Sequence, residues 1–339
     1  MTVLPNPQLN CAPEKISHIH IMGICGTGMA ALAGMLKDSG YQVSGSDQNV
    51  YPPMSDFLDA AEITVMQGYL PENLAPRPDL VIVGNVIRAV YPEAQQLVKI
   101  GIPYLSMPQA LAHFFLNKSE GDGRLKSLVV TGTHGKTTTS SLLATALYRA
   151  GHSPGFLIGG IVEAFGRNYR LGDSDFFVVE GDEYDTAFFN KVSKFLHYQP
   201  QYAILTSIEF DHADIFTDLE QIRDSFNQFV RLIPADGALV ACLDDPIVAE
   251  TAALCAGEVI GYGTGDTCGW QLRNFTASGL NSRFSVWNDR KLFGDFSLPM
   301  PGMHNALNAL AVIALMEHLG ISSEAIRAGL ASFEGIKRR

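Results

Sequence analysis

The sequence predicts an α/β fold in which an N-terminal Rossmann-like parallel-sheet domain precedes a P-loop ATPase-like central domain with an added antiparallel edge. Short apolar runs alternate with helix-like segments, which is typical of parallel sheets covered by helices. Two of these runs, at residues 16–22 and 128–131, end in glycine-rich loops that lead directly into a helix. Such loops commonly hold phosphate groups. Short alternating apolar runs between residues 270 and 298 predict the antiparallel edge.

Length and composition narrow the functional classes. A chain of 339 residues suggests about two domains. The net charge of −11 argues against nucleic acid as the main partner, because binding to nucleic-acid phosphates favours a basic face. We expect no membrane span, since no apolar run approaches the roughly 18 residues required. The five cysteines form no CxxC pair and there is no secretory signal, so we expect a cytoplasmic protein with reduced thiols.

The first domain is predicted to span residues 16–119, after a loose arm at residues 1–15. Its opening strand is followed by the loop GICGTG, which contains Gly26, Thr27 and Gly28, and by a helix at residues 29–39. Asp47 follows the second strand at about the distance expected of an acid that binds a ribose. The glycine order is G-x-x-G-x-G and not the dinucleotide order G-x-G-x-x-G. A tight structural turn without a ligand therefore remains an alternative.

Further strands at residues 80–84 and 102–105 alternate with helices at 91–100 and 108–117 and complete the predicted small parallel sheet. The polar segment EGDGR, residues 120–124, is the predicted linker. The central domain is then expected to span residues 125–333.

The stretch LVVTGTHGKTTT, residues 128–139, has the strand, loop, lysine, hydroxyl and helix of a triphosphate site. Lys136 is expected to reach the β- and γ-phosphates, and the Thr137 hydroxyl is expected to bind Mg²⁺. The loop is shorter than the Walker spacing, because Val130 stands where the first glycine is required. The alternative is a structural glycine turn with a surface lysine. The other residues expected around ATP are Gly132, Thr133, His134, Gly135 and Thr138.

Acidic residues follow the next apolar strand, at residues 176–180. An acid at the end of a buried strand beside a P-loop is well placed to bind Mg²⁺, which makes Glu180 the first candidate. Glu183 and Asp185 are alternatives, and a solvated acidic turn would explain one or two of the three. His212 follows a strand at residues 202–207, at the strand end where α/β sites collect. It is a candidate second metal ligand or phosphate-orienting group, although a lone histidine is more often structural.

The remaining segments predict a strand at residues 237–242 and helices at 219–233, 246–256, 301–319 and 322–333. His304 and Asn305 lie at the start of the helix at 301–319. An amide can both donate to and accept from adenine, so Asn305 is a candidate adenine ligand. An asparagine that caps the helix explains this segment equally well.

Seven segments together resemble the Mur ligase family, the ATP-dependent ligases that join amino acids or peptides to UDP-N-acetylmuramate (UDP-MurNAc). The resemblance runs from about residue 16 to the end of the chain, and the combination is more specific than any single segment. The segments are GICGTGM (23–29), GSD (45–47), TGTHGKTTT (131–139), EGDEYD (180–185), EFDHAD (209–214), PGMHNALNALA (301–311) and FEGIKRR (333–339).

The resemblance implies that ATP phosphorylates the lactyl carboxylate of UDP-MurNAc, and that an amine then attacks the acyl phosphate. It implies that the first domain binds UDP, with Gly26, Thr27 and Gly28 at the diphosphate and Asp47 near the uridine. For the central domain it implies catalytic roles for Lys136 and His212, one Mg²⁺ on Thr137 and Glu180, a second on His212, and adenine on His304 and Asn305.

The stretch at residues 181–200 most resembles the family branch that attaches the tripeptide L-alanyl-γ-D-glutamyl-meso-diaminopimelate during peptidoglycan recycling. The branch that adds L-alanine and a non-catalytic nucleotide-binding remnant are the alternatives. Folylpolyglutamate synthetase-like ligases do not explain the first domain, and NAD-dependent oxidoreductases do not explain residues 132–137.

Two departures from the family pattern concern the second metal and the acceptor. Several family members carry a carbamylated lysine where this chain has Asn227. Residues 334–339 resemble the start of a linker to a third, acceptor-binding domain that this chain lacks. We therefore expect weak or partial substrate binding without complete ligation. Oligomeric state cannot be predicted from these patterns.

Overall fold

The computed structural model describes residues 5–117, 119–120, 123–210 and 218–337. The chain divides into two compact units, one of Met1–Lys118 with Tyr184–His197 and one of Ser119–Glu183 with Tyr198–Arg339. The segment 184–197 thus belongs to the first unit, whereas the sequence interpretation placed it inside the central domain. The reason is apolar burial, because Ala187 is 2% exposed within the core of the first unit and Phe188 and Phe189 pack against that core.

The elements of residues 5–117 alternate between strand and helix. α4 continues as a π-helix at Ala112–Leu116. The helix α2 and the strand β3 were not predicted from sequence, because both are short and β3 is only partly buried. The elements are β1 (His18–Met22), α1 (Thr27–Asp38), β2 (Gln42–Asp47), α2 (Met54–Ala60), β3 (Thr64–Gln67), β4 (Leu80–Val83), α3 (Pro92–Ile100), β5 (Tyr104–Ser106) and α4 (Met107–Leu111).

The first unit is organised around a five-stranded parallel sheet in the order β3-β2-β1-β4-β5. The order reverses between β1 and β4, so the loops that follow these two strands diverge to opposite sides of the sheet. Such a switch point at the carboxyl ends of the strands is where open α/β sheets bind ligands. α1 is apolar along its length and buries eight residues against the sheet. The Rossmann-like part of the predicted fold class is confirmed.

The elements after residue 118 are more numerous, and two of them, β12 and β13, form a hairpin of the first unit. They are β6 (Ser119–Glu120), β7 (Gly123–Arg124), β8 (Lys126–Thr131), α5 (Lys136–Arg149), β9 (Gly155–Val162), β10 (Arg167–Arg170), β11 (Phe176–Gly181), β12 (Asp185–Ala187), β13 (Asn190–Ser193), β14 (Tyr202–Leu205), α6 (Leu219–Val230), β15 (Ala238–Cys242), α7 (Pro246–Ala252), β16 (Glu258–Gly263), β17 (Trp270–Ser278), β18 (Asn281–Asn288), β19 (Lys291–Leu298), α8 (Met303–His318), α9 (Ser323–Ala331) and β20 (Ile336–Lys337).

The second unit contains an eleven-stranded mixed sheet in the order β10-β9-β11-β8-β14-β15-β16-β17-β18-β19, with β20 paired to β9. The strands from β9 to β17 in this order are parallel, and β17, β18 and β19 form the antiparallel edge that the sequence predicted. β8 lies between β11 and β14 in the parallel part. The loop after β8 therefore emerges among the carboxyl ends of its neighbours.

Apolar helices cover this sheet. α8 is apolar on nearly all sides and buries eleven residues, as expected of a helix inside a core. α9 begins where the sequence predicted, because the Ser322 hydroxyl accepts from the Ala325 N–H and caps the helix. Within the described ranges, no helix combines the length and hydropathy that crossing a bilayer would require.

Candidate functional site

The loop between β8 and α5 has the geometry of a phosphate-binding turn. β8 is almost fully buried and holds the start of the loop rigidly between β11 and β14. Gly135 is the N-cap of α5, and no side chain caps this helix end. The first N–H groups of a fourteen-residue helix are consequently available to an anion, and the helix dipole favours negative charge at this position.

Two positions in this loop require glycine. Gly132 and Gly135 have φ angles of +129° and +82°, which disfavour any side chain. A Cβ at Gly132 would collide with the Thr206 hydroxyl, and a Cβ at Gly135 would lie 2.8 Å from Asn308 Oδ1. The backbone of the loop is thus pressed against β14 and α8.

Lys136 lies at the centre of this loop. Its Nζ donates to the carbonyls of Gly132 and Thr133 at 2.7 and 3.2 Å, and forms an ion pair with Glu183 Oε2 at 2.9 Å. The lysine side chain is 14% exposed and that of Glu183 is 2% exposed. These contacts hold the ammonium group over the loop, where the phosphate groups of a nucleotide would lie.

Glu183 is the buried counter-charge of Lys136. Burial raises the pKa of the Glu183 carboxyl above its usual range, and the neighbouring Lys136 opposes that rise. The sequence named Glu183 only as an alternative metal ligand. Its pairing with Lys136, 47 residues earlier in the chain, depends on the adjacency of β8 and β11.

Thr137 and Glu180, the two residues predicted to share one Mg²⁺, are in direct contact. Thr137 Oγ1 donates to Glu180 Oε1 at 2.9 Å, and the Gly159 N–H donates to Glu180 Oε2 at 2.7 Å. A hydroxyl and a carboxylate are hard oxygen ligands of the kind that Mg²⁺ prefers. The described residues contain no group of three or more acidic, histidine or cysteine side chains arranged for a metal. Two protein ligands suit Mg²⁺, which keeps waters and shares substrate phosphates.

The other predicted loop residues surround this centre. The Thr133 hydroxyl accepts from the Glu209 N–H at 2.9 Å. The His134 N–H donates to the Ser207 hydroxyl, and the exposed imidazole lies 3.5 Å from Glu209 Oε2. Thr138 is half-buried in the first turn of α5. The structure thus brings the predicted loop residues together around Lys136.

The two residues proposed to bind adenine differ in their exposure to solvent. His304 is exposed, whereas Asn305 is 8% exposed and its amide donates to the Pro301 carbonyl at 2.7 Å. Asn308, one turn further along α8, is also 8% exposed and faces Gly135. Both asparagines lie near the start of α8, and the sequence analysis selected only Asn305 as a candidate for adenine. The contact of Asn308 with the loop depends on tertiary packing and has no sequence signal beyond that spacing.

The second metal site cannot be described, because His212 lies outside the described residues. Asn227 stands on α6 where the family resemblance leads to a carbamylated lysine. Its side-chain oxygen is buried and has no hydrogen-bond partner among the residues that the structure describes. The roles of His212 in catalysis and metal binding therefore stay predictions.

A second candidate site is the glycine loop that follows β1. Gly26 is the N-cap of α1, and Thr27 and Gly28 are its first two residues. A Cβ at Gly26 or Gly28 would meet nothing within the chain closer than 3.6 Å. Packing therefore does not require glycine at these two positions. Their missing side chains leave the N-terminus of a twelve-residue helix open to a close anionic ligand.

Asp47 holds the glycine loop in place through hydrogen bonds to backbone N–H groups. It is the last residue of β2 and is 7% exposed. Its Oδ2 accepts from the Cys25 N–H and its Oδ1 from the Asn49 N–H, both at 2.9 Å. Burial, reinforced by the Asp47 charge, raises the pKa of the Cys25 thiol to about 11, so the thiol stays protonated at neutral pH. The predicted contact of Asp47 with uridine would have to use its remaining lone pairs.

A buried polar network supports the same strand end and was not predicted from sequence. Glu93 is fully buried and accepts from His20 Nε2 and the Ser46 hydroxyl, each at 2.7 Å, and from the Asn73 amide at 3.2 Å. The Ser46 carbonyl accepts the N–H of Gly23, the first residue of the loop. The network thus connects α3 to the glycine loop through the end of β2.

A methyl group at Gly135 should disable the nucleotide loop. We expect Gly135→Ala to weaken binding of a non-hydrolysable ATP analogue with Mg²⁺ at least tenfold, because the Cβ would displace Asn308 or the loop. Gly151→Ala is the matched control, since Gly151 also has a positive φ (+90°) but its Cβ would meet nothing within 4 Å. Calorimetric titration compares the two variants. Equal affinities would show that the crowding at Gly135 does not shape the site.

Comparison with known proteins gives consistent matches across both units. Residues 18–119 match the description "Mur ligase family, catalytic domain", and residues 130–316 match "Mur ligase middle domain". The ligase of Escherichia coli (strain K12) named UDP-N-acetylmuramate--L-alanyl-gamma-D-glutamyl-meso-2,6-diaminoheptandioate ligase is 41% identical over 322 residues, which cover 95% of this chain and 68% of that protein.

Two further relatives represent the two branches of the family considered above, the tripeptide-adding branch and the L-alanine-adding branch. The crystal structure of UDP-N-acetylmuramate:L-alanyl-gamma-D-glutamyl-meso-diaminopimelate ligase (MPL) from Neisseria meningitides is 40% identical, with a TM-score of 0.88, over 96% of this chain and 100% of that one. A UDP-N-acetylmuramate--L-alanine ligase of Bradyrhizobium sp. (strain BTAi1) is 38% identical over 335 residues, 96% of this chain and 68% of that protein.

Proposed function

The chain belongs to the Mur ligase family, and from this membership we propose that it is an ATP-dependent ligase of the tripeptide-adding branch. The substrates would be UDP-MurNAc and L-alanyl-γ-D-glutamyl-meso-diaminopimelate, which appear in the names of the E. coli and Neisseria relatives. The reaction would serve peptidoglycan recycling in the cytoplasm. The five cysteines are free thiols in the structure, which suits that compartment.

The observation that carries the proposal is the arrangement around Lys136. One ammonium group, one threonine hydroxyl and two carboxylates converge on a glycine loop at the uncapped start of α5. Phosphoryl transfer requires positioning and charge neutralisation more than it requires a protein nucleophile. This set of groups supplies both functions.

In the first half-reaction, a lactyl carboxylate oxygen of UDP-MurNAc attacks the γ-phosphorus of ATP. The bond between the γ-phosphorus and the β–γ bridging oxygen breaks, ADP leaves, and an acyl phosphate forms. Lys136 would exchange its contacts with the loop carbonyls for the β- and γ-phosphate oxygens and neutralise charge that spreads over them. Glu183 would keep the ammonium group oriented during that exchange.

Thr137 and Glu180 would hold Mg²⁺, which when bound would neutralise phosphate charge and align the leaving group. The contact between Glu180 and the Gly159 N–H fixes one carboxylate oxygen and leaves the other directed at Thr137. His212 is our candidate for a second metal ligand. Asn305 and His304 remain candidates for adenine, and Asn308 joins them because it lies against the loop.

In the second half-reaction, the amine of the tripeptide attacks the acyl carbon, loses a proton, and expels inorganic phosphate from a tetrahedral intermediate. We propose that Gly26, Thr27 and Gly28 hold the diphosphate of UDP-MurNAc, with Asp47 beside the uridine. The open N-terminus of α1 supports this assignment.

A second candidate function is ligation of L-alanine to UDP-MurNAc. The similarity to the Bradyrhizobium ligase favours it. It requires the same donor and the same nucleotide loop, so it differs only in the acceptor. The sequence of residues 181–200 supports the tripeptide branch.

Calorimetric titration tests the donor assignment. We expect this chain to bind UDP-MurNAc at one site, and we expect no heat of binding with NAD⁺ under the same conditions. Asp47→Asn should weaken UDP-MurNAc binding, while Asp59→Asn, an exposed control in the same unit, should not. Binding of NAD⁺ without UDP-MurNAc would refute the function proposed for the first unit.

A further inference from the structure

A cavity of about 570 Å³ lies within the first unit, between the loop that follows β4 and the β12–β13 hairpin. The loop contributes Asn85, Ile87 and Arg88, and the hairpin contributes Asp185 and Lys191. Of these five residues, Asp185 was named above only as an alternative Mg²⁺ ligand, and the other four were assigned no role. The cavity is large enough for part of a substrate.

The walls of this cavity are anchored. On the hairpin, Ala187 is buried in the core of the unit, and the Phe189 ring packs edge-on against Tyr104, with centroids 4.7 Å apart. On the loop, Ile87 is 1% exposed. A cavity between two segments that the core holds in this way can position a ligand without first being ordered.

The charges in the cavity are unequal. Lys191 Nζ contacts Asp185 Oδ2 at 3.2 Å, so these two charges largely offset each other. The exposed guanidinium of Arg88 has no ion pair or side-chain hydrogen bond to any residue that the structure describes. The cavity thus presents one uncompensated positive group with several donors, which matches the geometry of a carboxylate.

The cavity also adjoins the glycine loop. A Cβ at Gly23 would lie 3.1 Å from a methyl group of Val86 and 3.6 Å from Ile87 Cδ1. Val86 and Ile87 also line the cavity. A ligand whose phosphates lie on the glycine loop could therefore extend its remaining part along this wall. β1 and β4, which carry the two loops, flank the switch point of the sheet.

We propose that this cavity is a carboxylate-binding subsite of the ligation reaction, with Arg88 as the specificity-determining residue and Asp185 as the internal carboxylate that occupies Lys191. This inference rests on the proposed function, because both candidate ligands are its substrates. The carboxylate belongs either to the lactyl group of UDP-MurNAc or to the acceptor tripeptide. The two sources share the same chemistry and are separated by the experiment.

The experiment is calorimetric titration of this chain and its Arg88→Gln variant with three ligands. UDP-MurNAc and UDP-N-acetylglucosamine differ only in the lactyl ether that carries the carboxylate, and the free tripeptide is the third ligand. Lys99→Gln is the control, because it removes an exposed positive charge from the same unit away from the cavity. Asp185→Asn removes the ion-pair partner of Lys191 and should increase the affinity for the carboxylate ligand instead of decreasing it.

We expect Arg88→Gln to weaken one carboxylate-bearing ligand about tenfold and to leave UDP-N-acetylglucosamine unchanged. A selective loss for UDP-MurNAc identifies the lactyl carboxylate, and a selective loss for the tripeptide identifies the acceptor. Asp185→Asn should strengthen the same ligand two- to threefold, on the order expected from removing a competing partner.

Equal affinities of the wild-type chain and Arg88→Gln for all three ligands would overturn the inference. An equal loss for both UDP-sugars would also overturn it, because that result would place Arg88 on the diphosphate. If the wild-type chain bound neither UDP-sugar, the proposed function itself would fail. The two failures are therefore distinguishable.

Discussion

Replacing Glu93 with alanine should destabilise the first unit by about 3–5 kcal/mol, because three buried polar side chains lose the acceptor that they share. The substitution leaves His20, the Ser46 hydroxyl and the Asn73 amide buried without their shared acceptor. Each unsatisfied group adds a desolvation penalty of about 1–3 kcal/mol, which partial relaxation and water entry reduce. Urea unfolding followed by circular dichroism measures the loss.

Two variants make this prediction specific. Glu72→Ala removes an exposed carboxylate from the short 3₁₀-helix Pro71–Leu74 and should change the free energy of unfolding by less than about 0.5 kcal/mol. Glu93→Gln keeps one acceptor oxygen and loses the other, so its cost should lie between the other two. A Glu93→Ala protein as stable as Glu72→Ala would show that the network contributes little.

The same network should also affect ligand binding. The Ser46 hydroxyl is held by Glu93, and the Ser46 carbonyl accepts the N–H groups of Gly23 and Ile24 at 2.8 and 3.1 Å. Loosening Ser46 would therefore release the start of the glycine loop. Under conditions where the Glu93→Ala protein is still folded, we expect it to bind UDP-MurNAc more weakly than the wild-type chain does.

Local features of the fold and the nucleotide loop were predictable from sequence. The loop from Gly132 to Thr138 is contiguous and directly follows an apolar run. The local order of residues was therefore enough to predict a strand, a turn and a helix. Glu180 was also singled out from local order, because it closes the apolar run at residues 176–180, and the structure places it in β11 beside β8. The antiparallel edge at β17–β19 also has a local signal, the alternation of apolar and polar residues.

Features that depend on long-range packing were missed. His20 and Glu93 are 73 residues apart and meet only because β1 and the start of α3 approach each other in the fold. β9 was not predicted because Gly159 and Gly160 suggest a turn, yet a Cβ at Gly159 would lie 2.9 Å from Glu180 Oε2. A side chain at residue 159 would therefore clash with the Glu180 carboxylate, which explains glycine at this position. No local pattern indicates that the β12–β13 hairpin packs with the first unit.

Replacing Lys136 with alanine should abolish phosphoryl transfer, with a loss of at least about 10³-fold, as expected for a cation that neutralises the transition state. The fold should survive the change. Burial already raises the pKa of Glu183, so without Lys136 that carboxyl can take up a proton and avoid a buried unpaired charge. The double variant Lys136→Ala/Glu183→Gln should therefore be about as stable as Lys136→Ala.

Lys126→Ala is the matched control for this prediction. Lys126 is at the start of β8 in the same unit, and its ion pair with Asp175 is 3.3 Å long and half-exposed at both ends. Exposed pairs of this kind contribute about 0–1 kcal/mol, so the control should keep both its stability and its activity. If Lys126→Ala lost as much activity as Lys136→Ala, the loss would reflect removal of a positive charge in general and would contradict a specific role of Lys136.

The measurement that tests the central claim most directly is trapping of the acyl phosphate. The chain is incubated with ATP, Mg²⁺, UDP-MurNAc and hydroxylamine, and the hydroxamate of UDP-MurNAc is detected by mass spectrometry. We expect hydroxamate and ADP in equal amounts from the wild-type chain and from Lys126→Ala, and neither from Lys136→Ala. ADP release that is independent of UDP-MurNAc and yields no hydroxamate would contradict the assignment of a carboxylate-activating ligase.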